Sequence, residues 1–354
     1  MKAVIFAGGA GTRMWPVSRK ASPKQFEKLI NDQSTLQLAV DRLRPEFLWE
    51  DIYISTGAEY AHIIREQVPL LPAENLIAEP EMRDVAAAVG YIAAIFSNRG
   101  RHEPFVILWS DHLMSKTVVF KQVISIGAKY IEDHQDKILF VGQKARFPNQ
   151  NCGWIEMGKV IASTDNLNIH EFVSWHYRPS LQQARVFFHR PNFSWNPGYF
   201  IATPQFLLDR YQEFMPEMYK QLMILRGHPE KLTTLYSRLE KIHFDTAILE
   251  RLKPEQAVVV SADMGWSDIG TWEALKEALQ KEPQENITKG KVVTYHTKDS
   301  LVYNYTDKLV ATLDLEGMLI VVTPDVIMVC PQESVPDIKK VIEELITTGN
   351  KQYT

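Results

Sequence analysis

The sequence has little cysteine and no long apolar run. The two cysteines, Cys152 and Cys330, are too few for a disulfide framework, and no Cys-x-x-Cys spacing indicates a metal site. Such sparse use of cysteine favours a reducing compartment. No apolar stretch approaches the ~18 residues needed to cross a bilayer, and the first residues lack the pattern of a signal peptide. We therefore expect a cytoplasmic protein with no membrane partner.

An excess of positive charge is absent as well. The formal net charge is -4, from 39 Lys and Arg against 43 Asp and Glu, and no long basic run occurs. Nucleic acid is therefore not expected as a partner, although a local basic pocket could still bind small anions. The length of 354 residues fits two domains, or one large domain with an appendage.

What the sequence does contain is a glycine-rich stretch near its start. A short apolar run of strand length is followed at residues 8–13 by Gly-Gly-Ala-Gly-Thr-Arg. Glycines let the backbone turn sharply and leave its N–H groups uncovered, so that an anion can be cradled. Arg13, Arg19 and Lys24 then supply positive charge. This combination predicts a phosphate site, and a glycine-rich turn with solvated charges is the alternative.

The two familiar glycine fingerprints do not fit this stretch. A P-loop requires Gly-x-x-x-x-Gly-Lys-Ser/Thr, which does not occur here. The dinucleotide fingerprint Gly-x-Gly-x-x-Gly fails because Met14 stands where the third glycine is required. The phosphate site, if present, is therefore of another kind.

The alternation of apolar strands and amphipathic helices up to residue 141 predicts an α/β fold. We expect a doubly wound, mainly parallel (Rossmann-like) sheet, with ligands beyond the carboxyl ends of its strands. Residues 147–203 are dense in aromatics and prolines, which favours an inserted antiparallel ribbon. The predicted catalytic domain covers residues 1–282.

Beyond residue 286 the pattern changes to short apolar runs separated by turns. We predict a small C-terminal all-β domain at residues 286–354, either a β-roll or a short β-helix, with a closing helix at 336–347. Packing and a homodimer contact are the roles expected of this domain, because a fold alone does not imply a site.

Two aspartates are candidates for a metal site. Asp111 directly follows a buried-type strand, and Asp268 lies in Gly-Trp-Ser-Asp, between a strand and a helix. Magnesium prefers one or two carboxylates together with phosphate oxygens and water. Two such carboxylates meeting at one edge of the sheet would satisfy that preference. Helix capping is the alternative for each of them.

The whole string at residues 8–26, GGAGTRMWPVSRKASPKQF, resembles the signature of the sugar-1-phosphate nucleotidylyltransferases. Its Trp15-Pro16 pair and its Pro-Lys-Gln-Phe ending resemble the mannose-1-phosphate guanylyltransferase branch. The tail of the sequence resembles that of the single-activity form, because it is too short for the isomerase domain of bifunctional relatives. The resemblance implies GTP and mannose 1-phosphate as substrates and Mg²⁺ as the cofactor. It also implies transfer of GMP to the sugar phosphate, with release of pyrophosphate.

The resemblance assigns roles to the residues that match the family's motifs. It implies Arg13 and Lys24 as catalytic residues and Asp111 and Asp268 as metal ligands. The nucleotide-binding residues implied are Ala7, Gly8, Gly9, Gly11, Thr12, Glu79 and Arg83. The sugar-phosphate-binding residues implied are Gly153, Arg178, Asn196 and Asp245.

Two segments depart from the family pattern. After Glu79 the chain has Val85 in place of Thr and Ala87 in place of Pro, although a carboxylate there could still accept both N–H groups of guanine. A surface turn with a helix cap is the alternative for that segment. Residues 172–179, FVSWHYRP, stand where the family has Phe-x-Glu-Lys-Pro and contain no glutamate in register. Arg178 could replace the lysine, because a guanidinium also binds phosphate.

The missing glutamate leaves two other functions open. One is a nucleotidylyltransferase for another sugar 1-phosphate, such as a heptose or a glucose. The other is a non-catalytic relative that binds sugar nucleotides as a regulatory subunit. Retention of both candidate cations and both candidate metal ligands counts against the regulatory role.

Overall fold

The computed structural model describes residues 1–9, 11–164 and 167–354, except for the side chain of Thr12. The strands are β1 (Lys2–Phe6), β2 (Lys28–Ile30), β3 (Gln33–Ser34), β4 (Ile52–Gly57), β5 (Leu76–Glu79), β6 (Phe105–Trp109), β7 (His112–Met114), β8 (Ile138–Gln143), β9 (Gly153–Thr164), β10 (Leu167–His176), β11 (Phe193–Ala202), β12 (Ala257–Ala262), β13 (Trp266–Asp268), β14 (Ile287–Lys289), β15 (Val292–Tyr295), β16 (Leu301–Asn304), β17 (Val310–Leu313), β18 (Met318–Val322) and β19 (Ile327–Pro331). The helices are α1 (Thr35–Asp41), α2 (Ala61–Gln67), α3 (Asp84–Asn98), α4 (Thr117–Asp133), α5 (Leu181–Phe188), α6 (Pro204–Phe214), α7 (Pro216–Gly227), α8 (Leu232–Tyr236), α9 (Phe244–Ala247), α10 (Trp272–Leu279) and α11 (Ile338–Thr347).

The chain forms two compact units that are not single stretches of sequence. The first unit contains residues 1–8, 39–110 and 114–266. The second unit contains residues 9–38, 111–113 and 267–354. The predicted domain boundary lies between residues 282 and 286. It stays a prediction, because each compact unit contains several separate segments of the chain.

The first unit is built on a sheet with the strand order β5-β4-β1-β6-β11-β8-β12-β10-β9. Strands β5, β4, β1 and β6 are parallel neighbours, and β8 and β12 form a further parallel pair. This confirms the predicted α/β class with a mainly parallel sheet. The predicted antiparallel ribbon is the hairpin of β9 and β10, and β11 runs antiparallel between β6 and β8.

The core of the first unit depends on aromatic rings and on one helix of small residues. Helix α3 is rich in alanine, so it lies close to its neighbours and buries most of its residues. The ring of Phe96 on α3 packs edge-on against Tyr53 and Phe105 of the sheet. On β8, Phe140 contacts Phe172 and Phe200 in the same manner. These contacts hold the strands whose ends carry the candidate site residues.

The second unit contains a short β-helix. Strands β14, β16 and β18 pair in parallel, as do β15 and β17, and β18 then pairs antiparallel with β19. Parallel ladders joined by turns stack coil upon coil, which decides for a β-helix over a β-roll. The predicted closing helix is α11.

The N-terminal residues of the second unit share a hydrophobic core with the β-helix. Met14, Trp15 and Val17 are buried in one cluster with residues of α10, β16, β18 and α11. The stretch that carries the candidate cations therefore packs on a C-terminal scaffold within this unit. None of the helices that the structure describes has the length and apolar character of a membrane span.

Candidate active site

The glycine stretch begins where β1 ends. The N–H of Ala7 donates to the carbonyl of Ser55 at 2.8 Å, and the carbonyl of Ala7 accepts from Oγ1 of Thr56 at 2.8 Å. Ala7 is thus buried and held on both sides, whereas Gly8 and Gly9 are exposed. Apart from its chain neighbours, no atom of the described residues lies within 4 Å of the place where a side chain would stand on either glycine. The backbone of both glycines is therefore open, and phosphate binding there stays a prediction.

The rest of the stretch is held in place by contacts among residues 9–25. Gly11 has φ +49°, and a Cβ there would lie 2.9 Å from Cγ of Lys24. Only glycine meets both conditions at low cost. Oγ of Ser18 donates to the carbonyl of Gly11 at 2.5 Å, and Nε2 of Gln25 donates to the carbonyl of Gly9 at 3.3 Å. The side chain of Thr12 lies outside the described residues.

Lys24 is a buried cation that forms an ion pair with Asp111. Its side chain is 7% exposed, and Nζ lies 2.9 Å from Oδ2 of Asp111. Among the residues that the structure describes, Nζ has no acceptor with hydrogen-bond geometry, although an ammonium carries three donors. A buried amine with unused donors is suited to hold an anion.

Asp111 is ionised beside this lysine. Burial disfavours the charge of its carboxylate, but the attraction of Lys24 and then of His112 prevails and lowers its pKa to about 2. Nε2 of His112 lies 3.9 Å from Oδ1 of Asp111. His112 is the next residue along the chain and begins β7.

Arg13, Lys24 and Asp268 meet around one point in the second unit. A methyl group on Cα of Gly270 would lie 3.1 Å from Nη2 of Arg13, 3.1 Å from Oδ1 of Asp268 and 3.3 Å from Nζ of Lys24. The approach follows from chain geometry, since Asp111 precedes β7, Asp268 ends β13, and these strands pair in a two-stranded sheet. The structure therefore brings both candidate cations and both candidate metal ligands together.

This donor set fits a magnesium ion. In the described part of the chain, no group of three or more His, Cys, Asp or Glu side chains forms a complete protein cage. Magnesium does not require one, because it binds through one or two carboxylates and takes its other ligands from phosphate oxygens and water. Asp111 and Asp268 supply that number of carboxylates. Asp268 is exposed, so its oxygens are accessible to an ion.

Gly270 is a site residue that the sequence reasoning missed. Its backbone does not have a positive φ, so the constraint is the space around it and not its conformation. The signal in the sequence is its position two residues after Asp268 in Trp-Ser-Asp-Ile-Gly. Glycine is favoured here because three charged groups lie 3.1–3.3 Å from the place where a Cβ would stand.

We predict that Gly270→Ala lowers kcat about tenfold without unfolding the protein. The added methyl group displaces Arg13, Asp268 or Lys24 by a few tenths of an ångström, and misplaced charged groups stabilise a transition state less well. Steady-state kinetics and a thermal melt measure the two effects. Gly227→Ala is the matched control, since a Cβ at Gly227 meets nothing within 4 Å. Equal kinetics for both variants would contradict the prediction.

In the first unit, two of the predicted sugar residues are neighbours. Gly153 on β9 pairs with Asn196 on β11. A Cβ at Gly153 would lie 3.5 Å from Cβ and 3.7 Å from Nδ2 of Asn196. Oδ1 of Asn196 accepts the N–H of Gly198 at 2.8 Å, which leaves the amide NH₂ to face a ligand. The glycine thus gives a flat backbone surface beside an oriented amide.

Trp175 is on the same face and was not singled out by the sequence. It pairs with Ile155, which lies two residues after Gly153 and so points to the same side of the sheet. Among the described residues, its buried Nε1 has no hydrogen-bond acceptor. Its ring centroid lies 6.5 Å from that of Phe200, which in turn lies 5.9 Å from Phe244.

Asp245 follows Phe244 on α9 and is half-buried. Burial is the largest influence on its carboxylate and raises its pKa, and the neighbouring negative charges of Glu250 and Asp84 raise it further. A ligand that hydrogen-bonds to the carboxyl group of Asp245, the predicted sugar residue, would therefore stabilise it.

Glu79 is held from two sides in the first unit. Its Oε1 accepts from Oγ of Ser55 at 2.9 Å, and its Oε2 accepts from the hydroxyl of Tyr236 at 2.6 Å. Burial raises its pKa against the opposing effect of these two bonds. Each carboxylate oxygen keeps a second lone pair, so contact with a base remains a prediction. Tyr236 is a partner that no local sequence pattern could reveal.

Arg83 and Arg178 lie in less constrained surroundings. Nη2 of Arg83 contacts Oε1 of Glu81 at 3.0 Å. Arg178 is exposed, has φ +41° and places its guanidinium 5.3 Å from the ring centre of Tyr177. Their predicted contacts with nucleotide and sugar phosphate stay predictions.

The family comparison agrees with this fold. Residues 2–285 match the family model "Nucleotidyl transferase", and residues 290–345 match "MannoseP isomerase/GMP-like beta-helix domain". The first match covers most of the chain, so this protein belongs to the nucleotidyl transferase family.

Similar proteins of known name point to one branch. A mannose-1-phosphate guanylyltransferase from Escherichia coli is 28% identical over 361 residues, which cover 99% of this chain and 76% of that protein. Mannose-1-phosphate guanylyltransferase 2 from Escherichia coli O157:H7 is 29% identical and covers 99% of this chain and 74% of its own length. A crystal structure from Thermus thermophilus, described as a mannose-1-phosphate geranyltransferase, has a TM-score of 0.87, 25% identity and coverage of 97% of this chain and 98% of that one.

Proposed function

We propose that this chain is a mannose-1-phosphate guanylyltransferase, which makes GDP-mannose and pyrophosphate from GTP and mannose 1-phosphate. The observation that carries the proposal is the buried amine of Lys24, which lies beside Asp111 and converges with Arg13 and Asp268 around Gly270. The named relatives support the choice of GTP and mannose 1-phosphate, because they match almost the whole chain.

The proposed reaction is a single in-line displacement. A phosphate oxygen of mannose 1-phosphate attacks the α-phosphorus of GTP, and the bond from that phosphorus to the bridging oxygen of pyrophosphate breaks. Pyrophosphate leaves with the bonding electron pair. No protein nucleophile is required, because a phosphate dianion is itself a good nucleophile, so the protein supplies position and charge.

The cations of the second unit have separate roles in this scheme. The open backbone at Gly8 and Gly9 binds the nucleotide phosphates. Arg13 is exposed and stabilises the leaving pyrophosphate. Lys24 is buried and neutralises the charge that grows at the α-phosphate, where low solvent exposure strengthens its effect. Asp111 orients the side chain of Lys24 through their ion pair.

Magnesium is part of the proposal. Asp111 and Asp268 would hold it, and when bound it would neutralise phosphate charge and orient both substrates. The glycine, amide and carboxyl of Gly153, Asn196 and Asp245 in the first unit would bind the sugar, with Arg178 on its phosphate. Glu79 and Arg83 would contact the base.

A second candidate is the same reaction with another sugar 1-phosphate, such as a heptose or glucose derivative. The absence of a glutamate in residues 172–179 favours taking it into account, because in the resembling family that residue contacts the sugar. Trp175 lies in this segment, and its buried Nε1 has no hydrogen-bond acceptor among the described residues.

The test is pyrophosphate release measured with GTP and mannose 1-phosphate, with each substrate then replaced in turn. We expect GTP to exceed ATP and UTP, and mannose 1-phosphate to exceed glucose and heptose 1-phosphates, in kcat/KM. Preference for another sugar would support the second candidate. Binding of substrates without magnesium-dependent turnover would contradict both enzymatic candidates.

The sugar contact predicts a selective effect of Asn196→Asp. The carboxylate still accepts the N–H of Gly198, so the local turn is kept, but the NH₂ donor is lost and a negative charge is added. We expect KM for mannose 1-phosphate to rise at least about tenfold while KM for GTP changes little. Kinetics with each substrate varied separately measure this. An equal rise in both KM values would contradict a role specific to the sugar.

We also propose a cytoplasmic homodimer that associates through its C-terminal domain. The β-helix exposes large apolar side chains on neighbouring parallel strands, including Val293, Tyr295 and Leu313. Apolar side chains in such a row favour a protein contact. Sedimentation equilibrium tests the dimer, and Tyr295→Lys should shift it towards monomers.

A further inference from the structure

The stretch from Gly11 to Lys24, which we call the glycine–cation loop, carries both candidate cations but has little regular structure. Its described backbone contains a short turn of 3₁₀ helix at Thr12–Met14, two bonds from the N–H groups of residues 17 and 18 to the carbonyl of Met14, and a reciprocal pair of bonds between Arg19 and Ser22. Ordering such a segment costs about 1–2 kcal/mol per residue in conformational entropy. A loop that must present charges at fixed positions therefore needs external anchors.

Arg19 is the most completely held cation of this loop. Its Nη1 and Nη2 donate to Oδ2 and Oδ1 of Asp325 at 2.7 and 2.8 Å. Its Nε donates to the carbonyl of Pro16 at 3.0 Å. Three of the five N–H donors of the guanidinium are thus used within the protein, and its charge is paired with Asp325. Its sequence position groups Arg19 with Arg13 and Lys24, but the ion pair with Asp325 sets it apart from them.

Asp325 is itself oriented by the β-helix. It lies in the turn between β18 and β19, where Oγ1 of Thr323 donates to its Oδ1 at 2.9 Å. The hydrogen bond from Arg19 is the main reason that its pKa is lowered to about 2, so it is charged at any physiological pH. The turn is closed by the N–H of Thr323, which donates to the carbonyl of Val326 at 2.8 Å, and by the N–H of Val326, which donates to Oγ1 of Thr323 at 3.0 Å.

The geometry of this pair matters more than its energy. Asp325 is 41% exposed, and surface ion pairs contribute little to stability. A bidentate arginine–carboxylate pair nevertheless fixes the relative position and angle of the two planar groups. Such a pair can therefore align a loop, but it adds little to the stability of the fold.

A second anchor reaches the same loop from the C-terminus of the chain. Nε1 of Trp15 donates to the carbonyl of Tyr353 at 2.6 Å, and Nε1 of Trp272 donates to the carbonyl of Trp15 at 3.0 Å. The ring of Trp15 is 6% exposed within the core that also contains residues of the β-helix. The loop is thus tied on both sides of Pro16.

We infer that Arg19 and Asp325 are positioning residues, through which the β-helix holds the glycine–cation loop in the geometry that binds the triphosphate. This rests on the proposed function of the loop. It gives the C-terminal β domain a part in nucleotide binding, beyond packing and dimer contact. Without the pair, the loop spends less time in its binding geometry, and the apparent affinity for GTP falls by that fraction.

The test compares Asp325→Asn and Arg19→Lys with the wild-type chain. We expect KM for GTP to rise about tenfold, kcat to change less than about twofold, and Tm to move by less than about 2 °C. The bound triphosphate reorders the loop, so kcat at saturation is largely kept. Asp325→Glu retains the carboxylate and should recover part of the affinity.

Asp32→Asn is the matched control. Asp32 forms an ion pair with Lys289 at 2.9 Å, which also joins the N-terminal stretch of this unit to the β-helix. It lies outside the glycine–cation loop, so we expect its loss to leave KM for GTP unchanged. A similar rise in KM for this control would overturn the specific role of Arg19 and Asp325.

A second measurement does not depend on turnover. Hydrogen exchange of residues 11–26 without ligand should be faster in Asp325→Asn than in the wild type, and binding of inorganic triphosphate should be weaker by calorimetry. Unchanged exchange, or a lower Tm with unchanged affinity, would show a merely structural pair and overturn the inference. If the wild type releases no pyrophosphate, the proposed function fails, while exchange and triphosphate binding still decide the role of the pair.

Discussion

Lys24→Met is expected to lower kcat by about 10²–10³, the largest effect of any single change in this chain. Nζ of Lys24 is buried with one ion pair and unused donors, so its charge is available to a phosphate. Removing one preorganised group of this kind costs about 3–4 kcal/mol of transition-state stabilisation. Methionine keeps an unbranched stem against Gly11, so the loop should retain its packing.

The control for this prediction is Lys28→Met, which removes the same charge at an exposed position four residues later. Its kinetics should match the wild type. Circular dichroism and thermal melting of both variants exclude unfolding as the cause. A Lys24→Met enzyme with kcat within about threefold of the wild type would remove Lys24 from the proposed mechanism.

Asp268→Asn is expected to lower kcat/KM by about 10² and to raise the magnesium concentration needed for half-maximal activity. The change keeps the shape of the side chain but removes one of two carboxylates, and a hard cation binds a neutral amide oxygen less well. Oδ1 of Asp268 lies close to the point shared with Arg13 and Lys24. Loss of its charge therefore disturbs both the ion and the cations.

The measurement is a magnesium titration of activity, together with binding of Mn²⁺ in the presence of GTP. Asp307→Asn removes the same charge from a fully exposed side chain in the second unit and should leave both unchanged. If Asp268→Asn shows the same magnesium dependence as the wild type, Asp268 is not a ligand. Asp111 would then be the only proposed carboxylate ligand left.

Regular elements could be predicted well because their signals are local. The apolar residues Phe105–Trp109 form β6, which is the buried-type strand expected before Asp111. The buried residues of α4 recur at helical spacing, as Phe120, Ile124 and Ile131 do. Side-chain periodicity reports which face is buried, and this depends only on neighbours along the chain.

Pairings between distant segments could not be predicted. Nothing in the sequence places β11 antiparallel between β6 and β8, because strand order depends on long-range contacts. The choice between a β-roll and a β-helix stayed open for the same reason. Parallel registers such as Leu301 with Leu319 decide it.

The residues of the candidate site could be predicted from the sequence, but their arrangement could not. The glycine stretch and the charges of Arg13, Lys24, Asp111 and Asp268 are visible in the sequence, partly through a family resemblance. The meeting of Arg13, Lys24 and Asp268 around Gly270 is not, and neither is the ion pair of Lys24 with Asp111, because these contacts join distant parts of the chain. The pairing of Arg19 with Asp325 likewise separates one arginine from the other two cations of the loop.

By itself, the sequence determined the α/β class, the small β domain that follows it and the kinds of side chain available for phosphate and metal. Only the tertiary structure decided which charges stand together, which arginine is already neutralised, and which glycine must lack a side chain. Secondary structure and motif chemistry are set by residues that are adjacent in the chain. The electrostatic field and the free volume at a site are set by residues that are adjacent in three dimensions.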